Sequence, residues 1–354
     1  MMKNRKLLIA AGIAVLLCAG LPTAGFAGYN LLYFVREQLD LGPASSVATP
    51  ASLSSPAATA TPAPACGGPS QMFVLLIGSD TRANNYSAGL ADSIRSVRVD
   101  FVNPGLTYLT FQRDLYVEIP GISTHGGITH GKLNQAYLYG NSAFDYYEGP
   151  GQGPGLLALT MEQNFGSRTD HFVAVNIQTF ARIIDQLGGL DINLPYTVDG
   201  RAAHSTDQDR YFPAGPQHLD GYRTMLLARM RPNGDLERSR TQNLILQALA
   251  VKLLTPAVLP TLPGLAEALY GSVQTDLSAS DIAALLCLAA KLGPQDIQPR
   301  VFPEELFTGT RIQDPVLGYT FIWDADFDQL REYVRQFNEG TWPGAPSVAP
   351  TTAP

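Results

Sequence analysis

The chain has 354 residues, 45% of them hydrophobic and 16% charged, with a formal net charge of −7. Average soluble proteins carry about 25% charged residues, so the composition excludes a highly charged disordered chain, and the acidic balance excludes a generally basic nucleic-acid binder. The single long apolar run excludes a multi-span membrane protein. The 24 basic residues comprise 19 Arg and 5 Lys. Either a codon bias favours Arg, or the chain holds a site whose guanidinium forks grip phosphate or carboxylate.

Lys3, Arg5 and Lys6 precede a stretch from Leu7 to Val35 that carries no charge and is closed by Arg36. As a helix it is long enough to cross a hydrocarbon core of about 30 Å, and the leading positive charges favour a cytoplasmic N-terminus. Residues 1–41 are therefore read as a cytoplasmic stub and transmembrane signal-anchor. The alternative is a cleaved signal peptide ending at Gly25-Phe26-Ala27. The anchor is preferred because the apolar run continues through Leu31, Leu32, Tyr33 and Phe34. Both readings place the remainder outside the cytoplasmic membrane. Residues 42–70, mostly Pro, Ala, Ser and Thr, read as a linker. The catalytic domain is expected over 71–338, and 339–354 as a disordered tail. Cys18 falls in the apolar run. Cys66 and Cys287 are then a disulfide candidate in an exported domain, or two unpaired thiols with Cys287 simply buried.

Met72–Ile77 is a short apolar run expected of a buried strand, ending at Gly78. Ile94, Val97, Val99 and Phe101, the turn Asn103-Pro104-Gly105 and Leu106–Gln112 predict a β-hairpin. Gly155–Phe165 reads as a helix, His171–Val175 as a strand and Ile177–Leu187 as a helix closed by Gly188-Gly189 before the strand Leu190–Leu194. Helices are expected over Leu219–Arg229, Leu236–Leu254, Leu262–Tyr270 and Ile282–Leu292. Strands interleaved with helices predict a single α/β domain with helices on a central sheet.

Three clusters carry chemistry. Gly78-Ser79-Asp80-Thr81-Arg82 follows the first buried strand, where α/β sheets usually bind ligands, although such a stretch is often only a turn. It is no phosphate-binding P-loop, because no Gly-Lys-Ser/Thr follows. Asp92 opens the next strand, and two carboxylates brought together there suit a hard cation such as Mg²⁺. Gln112-Arg113-Asp114 ends the third strand, with Arg113 either functional or simply paired to Asp114. The segment 201–240 holds seven Arg and no Lys, with a net charge of +2. It includes Arg229, Arg231 and Arg238, and Gln242 shares a helix face with Arg238 at i, i+4. It is either a solvated face or a cationic wall that binds phosphates through charge-assisted hydrogen bonds.

The chain resembles the LytR-CpsA-Psr family along almost all of Met1 to Asn338. The resemblance rests on Leu-Leu-Ile-Gly-Ser-Asp-Thr-Arg (75–82), Ala-Asp-Ser (91–93), Gln-Arg-Asp-Leu-Tyr-Val-Glu-Ile-Pro (112–120) and Lys-Leu-Asn-Gln-Ala-Tyr (132–137). It continues through Ile-Asp-Gln-Leu-Gly-Gly-Leu-Asp-Ile-Asn (184–193), Leu-Asp-Gly (219–221), Ala-Arg-Met-Arg (228–231) and Arg-Ser-Arg-Thr-Gln (238–242). It implies a central mixed sheet flanked by helices, with an apolar lipid tunnel. It also implies transfer of a glycopolymer from a polyprenyl-pyrophosphate carrier to peptidoglycan, at the cytoplasmic membrane and without nucleic acid. The family's paired aspartates fall on Asp80 and Asp92, the two carboxylates read above as holding Mg²⁺ (or Mn²⁺) as cofactor, and its strand-end arginine falls on Arg113. Its pyrophosphate-binding set falls on Arg113, Arg229, Arg231, Arg238 and Gln242, to which Arg82 of the first cluster is added. Two positions depart from the family pattern. Leu90 stands where Arg is common, and Thr241-Gln242 where Arg-Gln is common, with Arg240 one position early.

Phosphoryl-type transfer depends on positioning and electrostatics, so no Ser or Cys nucleophile is needed. The acceptor hydroxyl must lose a proton. Either aspartate could take it, and Asp92 is the assignment carried forward, with Arg113 as its catalytic companion. Leu244–Leu254 and Leu262–Tyr270 could line a slot for the prenyl tail, or form ordinary core. Two rivals use the same residues: a polyprenyl-pyrophosphate hydrolase, and a non-catalytic surface protein that binds anionic glycans or lipid head groups.

Overall fold

In chain order, β1 (Gln71–Ser79), β2 (Ala91–Asp100) and β3 (Gly105–Phe111) form the antiparallel run that the apolar segments predict. The short pair β4 (Tyr116–Glu118) and β5 (His130–Lys132) leads into α1 (Leu133–Gly140), and α2 (Gln152–Phe165) follows. Next come β6 (His171–Asn176), α3 (Ile177–Gln186), β7 (Leu190–Leu194), β8 (Val198–Asp199), β9 (Tyr211–Phe212) and β10 (Gly215–Leu219). The chain continues through α4 (Gly221–Arg229), α5 (Asp235–Leu253), β11 (Val273–Thr275) and α6 (Ala279–Ala289). It closes with β12 (Ile297–Val301), β13 (Phe307–Asp314), β14 (Gly318–Ala325) and α7 (Phe327–Glu339). These elements come from a computed structural model that describes residues 63–81, 86–202, 205–231, 234–253, 255, 258 and 272–342. The apolar run Leu7–Val35, the linker up to residue 62, Arg82, the helix expected over Leu262–Tyr270 and the tail beyond residue 342 lie outside the described residues.

The central sheet has the order β11-β6-β1-β2-β3-β12. It is mixed: β1 and β6 are parallel, as are β3 and β12, while the other neighbours are antiparallel. β1 lies in its middle and is buried along nearly its whole length, which is why it reads as a continuous apolar run rather than an alternating one. Helices cover both faces. Toward α3–α6 the sheet presents Met72, Val74, Val97, Val99 and Tyr108, packed with Ile183, Leu227, Leu249 and Leu285. Toward α1, α2 and α7 it presents Phe73, Leu75, Ile77, Leu109 and Phe111, packed with Tyr137, Met161, Phe165 and Phe337. This period-2 division of β1–β3 between two cores makes an α/β sandwich.

Leu219 ends β10 rather than starting the helix expected there. Asp220 instead caps α4, its carboxylate accepting the Arg223 N–H at 2.7 Å. Asn176 likewise caps α3 through the Thr179 N–H at 2.7 Å. At the front, residues 65–67 form a single 3₁₀ turn, with the Ala65 N–H donating to the Phe101 carbonyl at 2.7 Å. Cys66 in that turn is disulfide-bonded to Cys287 of α6. At the back, Trp342 packs on Tyr333 and Phe302, with ring centroids 4.6 and 5.8 Å away.

Candidate active site

The Gly-Ser-Asp stretch after β1 is more than a connection. Gly78 faces Ser93 across the β1–β2 pair, and a Cβ there would lie 2.9 Å from the Ser93 Cβ. The Ser79 hydroxyl accepts the Thr81 N–H at 3.2 Å and donates to the Thr81 hydroxyl, which in turn donates to the Ala88 carbonyl. Gly89, at φ +138°, has its α-carbon against this knot, so a Cβ there would lie 2.1 Å from Thr81 Oγ1. The loop thus folded brings Leu90 back onto Asp80. The Leu90 N–H donates to Asp80 Oδ1 at 2.7 Å, and the Asp80 N–H donates to the Leu90 carbonyl at 3.1 Å. Position 90 therefore holds Asp80 through its main chain, whichever side chain it carries.

Asp92 is positioned by a β-bulge. Gly78 pairs with Ser93 but Ser79 pairs with Ala91, which leaves Asp92 as the extra residue on β2. Such a bulge re-aims a side chain at the end of a ladder. The Asp92 carboxylate accepts a hydrogen bond from Nη1 of Arg113, whose Nε donates to Asp114 at 3.1 Å. Asp114 also pairs with Lys132 Nζ at 3.1 Å, just ahead of α1. Arg113 therefore bridges two carboxylates, and the motif beginning at Lys132 supplies the balancing cation. The same motif ends in Tyr137, buried beneath Ser79 and Asp80. Burial pushes its phenol up to about 12, with the Asp80 charge adding to the rise while Ser79 and Asn141 oppose it.

A cavity of about 800 Å³ opens beside these groups, between the ends of β1 and β6 and helices α3, α4 and α5. Asp80, Asp92, Arg229, Arg231, Arg238 and Gln242 all line it. Arg113 is not among the lining residues but pairs with Asp92, which is. Gln242 is fixed by donating to the Ala228 carbonyl at 3.0 Å, which ties α5 to the end of α4. Arg240 points elsewhere, pairing with Glu304. The Asn176-capped start of α3 also lines the cavity, and the positive end of a helix dipole favours anions.

The lining changes character along α5. Arg238 and Gln242 give way to Ile245, Leu246 and Leu249, a run of roughly 16 Å along the helix. Leu76, Val175, Phe180, Ile183 and Met225 complete the apolar part. One cavity thus offers cations and carboxylates at one end and hydrocarbon at the other. The second helix expected to line a lipid slot, Leu262–Tyr270, lies outside the described residues.

Arg95 also lines the cavity, and sequence reasoning passes it over. It is 2% exposed on β2 and donates to Ser93 Oγ and, at 3.1 Å, to Asn243 Oδ1. The signal that could have found it is a charged residue at a core-facing position, on the same face as Val97 and Val99.

Asp80 and Asp92 both line the cavity and offer hard oxygen donors, and no group of three or more His, Cys, Asp or Glu side chains suited to a metal occurs among the described residues. Two carboxylates fit Mg²⁺, which keeps several waters and takes further oxygens from substrate phosphates.

The profile of the LytR_cpsA_psr family matches residues 57–332. The regulatory protein MsrR of Staphylococcus aureus is 28% identical over 237 residues, 66% of this chain and 64% of MsrR. The polyisoprenyl-teichoic acid–peptidoglycan teichoic acid transferase TagV of Bacillus subtilis is 27% identical over 215 residues, 60% of this chain and 51% of TagV. The chain thus spans between half and two thirds of these curated relatives. The crystal structure of B. subtilis TagV shares the fold, with a TM-score of 0.58 at 24% identity, covering 78% of this chain and 98% of that one. The match over most of the length shows that this chain belongs to the LytR_cpsA_psr family.

Proposed function

We propose that this protein transfers a glycopolymer from a polyprenyl-pyrophosphate carrier to a sugar hydroxyl of peptidoglycan, outside the cytoplasmic membrane. The observation that carries this reading is one cavity whose lining passes along α5 from Arg238 and Gln242 to Ile245, Leu246 and Leu249. An amphiphile with a pyrophosphate head and a hydrocarbon tail matches that gradient. The teichoic acid transferase activity named for TagV supports it.

In the proposed reaction the acceptor hydroxyl oxygen attacks the phosphorus that bears the glycan. The bond from that phosphorus to the bridging oxygen breaks, and polyprenyl phosphate leaves with the bonding pair. Arg229, Arg231 and Arg238 would hold the pyrophosphate oxygens and offset the charge that builds on the leaving phosphate. The hydroxyl proton passes to Asp92 or Asp80. Asp92 is the better placed, because Arg113 fixes its carboxylate. Mg²⁺ or Mn²⁺ held by Asp80 and Asp92 would supply further neutralisation of phosphate charge. A membrane anchor over Leu7–Val35 would keep this site close to the bilayer that holds the donor.

The test uses the full chain in detergent, with a polyprenyl-pyrophosphate glycan, a peptidoglycan oligomer and Mg²⁺. The expected products are glycan joined to peptidoglycan through one phosphate, and polyprenyl phosphate. Asp80→Ala and Arg113→Ala each lower the rate by roughly 10²–10³-fold or more while circular dichroism stays unchanged. Free glycan phosphate without adduct identifies a hydrolase instead. Wild-type transfer in both variants overturns the site.

A further inference from the structure

A second cavity, of about 510 Å³, adjoins the first, and its wall includes Asp199, Arg201, Arg210, Arg229, Arg231 and Met230. Arg229 and Arg231 line both cavities, so the two adjoin at the arginines assigned above to pyrophosphate. Four guanidinium groups and one carboxylate line it; Arg201 pairs with that carboxylate, and Arg210 lies 3.5 Å from Asp207. Asp199 accepts from Arg201 Nε at 2.9 Å and Nη2 at 2.8 Å. The wall is therefore cationic on balance.

It is also a built wall. The Arg201 guanidinium lies over the Tyr211 ring, 4.3 Å from its centroid. Arg223 lies over the Phe212 ring at 4.5 Å and donates to the Gln208 and Tyr211 carbonyls at 3.3 and 3.0 Å. Asp207 caps the turn that carries Arg210, accepting the Asp209 N–H at 3.0 Å. Beside the β8–β9 pair the Gly200 N–H donates to the Arg210 carbonyl at 2.9 Å, and a held guanidinium such as that of Arg201 binds anions at less entropic cost than a mobile one.

We propose that this second cavity is a subsite for an anionic sugar residue of the transferred polymer, one that bears a phosphate or a carboxylate. The proposal rests on the functional reading above. If hydrocarbon takes the apolar end of the first cavity and Arg229 and Arg231 take the pyrophosphate, the glycan on the far side of the pyrophosphate needs a separate path. The second cavity starts at those same two arginines and is polar where the first is apolar. Its excess of arginine selects polymers whose first residues are charged over neutral ones.

The experiment compares two donors with the same lipid and pyrophosphate, one with a neutral disaccharide and one with a phosphodiester on its second sugar. In the full chain, Arg201→Gln/Arg210→Gln is expected to raise KM for the charged donor about tenfold while kcat for both donors and KM for the neutral one stay unchanged. Arg201→Lys/Arg210→Lys keeps the charge and should restore most of the difference, which separates a lost subsite from a damaged fold. An equal rise for both donors, no rise, or a rise in the peptidoglycan KM alone each overturns the proposal; the last assigns the cavity to acceptor carboxylates. If the wild type cleaves neither donor, the functional reading has failed, and calorimetry decides the subsite by itself. The lipid-free phosphodisaccharide should then bind the wild type about tenfold more tightly than the Gln variant, and equal binding overturns the subsite.

Discussion

The two faces of the central sheet are made from the same three strands yet packed to different ends. Toward α1, α2 and α7 the residues Phe73, Ile77, Phe111, Phe165 and Phe337 are each no more than 2% exposed. Their rings interlock, with Phe111 5.2 Å from Phe165 and 5.3 Å from Phe302. Toward α3, α4 and α5 the sheet gives up close packing for a cavity of about 800 Å³ and buries an arginine, Arg95, in its wall. Dispersion contacts forgone around the cavity are stability forgone, so substitutions that fill it cost less than substitutions that overpack the aromatic face. One face of the sheet is packed throughout, and the other combines a buried core with an open cavity.

Matched substitutions on the two faces break this comparison most sharply. Phe165→Ala should cost about 3–5 kcal/mol in urea unfolding and leave KM for the lipid donor unchanged. Leu157→Phe, overpacking the same face, should cost about 1–3 kcal/mol. Leu246→Phe, projecting into the cavity, should shift stability by less than about 1 kcal/mol and raise the donor KM several-fold. Equal destabilisation by the two Phe insertions would show that the α5 wall is ordinary core.

Loss of the disulfide should have the next largest effect. The bridge joins Cys66, in the turn ahead of β1, to Cys287 on a helix of the cavity face, closing a loop across a sequence separation of 221 residues. Cys66→Ser/Cys287→Ser should lower unfolding stability by about 2–4 kcal/mol, measured without reductant, while the donor KM stays constant. A rise in KM would mean that the bridge also shapes the cavity.

How far each face was legible in the sequence follows from the kind of signal it carries. β1, β2, β3, α3 and α5 announce themselves through apolar runs, a Pro-Gly turn and helical spacing. The edge strand β12 and the separate β13–β14 pair do not. β12 contains Pro299, which argues against a strand except at an edge, and it is indeed the edge next to β3. β13 is mostly exposed and shows little alternation. α7 carries a usable period in Leu330, Val334 and Phe337, and that period is the signal that would have found it. In the site, the motifs name Asp80, Asp92, Arg229, Arg231, Arg238 and Gln242, and the structure brings all six to one cavity. The bulge that turns Asp92 is a matter of register between strands, which no local pattern encodes. Leu90 departs from the family pattern in its side chain, whereas it holds Asp80 through its backbone.

A smaller test reaches the loop between the faces. Gly89→Ala places a methyl group against the Thr81 hydroxyl at a positive φ, which should cost about 1–3 kcal/mol. Because Thr81 and Leu90 flank Asp80, the same variant should lose transfer activity, while Gly121→Ala, also at positive φ but with nothing within 4 Å, should lose stability only.

The smallest expected effect concerns Tyr137, which belongs to the aromatic face by packing and to the site by its hydroxyl, beside Ser79 and Asp80. Its phenol is raised from the ordinary value near 10 to about 12, first by burial and then by the Asp80 charge. Between those two values the unfolded chain gives up a proton that the folded chain keeps. Stability from this group is therefore complete below pH 10 and is lost as pH rises from 10 toward 12. Tyr137→Phe should flatten that alkaline decline without abolishing it, because Tyr139 is likewise pushed up to about 12 and stays in place. Asp80→Asn should bring the Tyr137 ionisation to lower pH, since one of its causes is removed while burial persists. Phenolate absorbance read against pH in the three proteins measures both. An unchanged titration in Asp80→Asn would mean that the aromatic face does not sense the charge at the site, and that the two faces are electrostatically as separate as they are in packing.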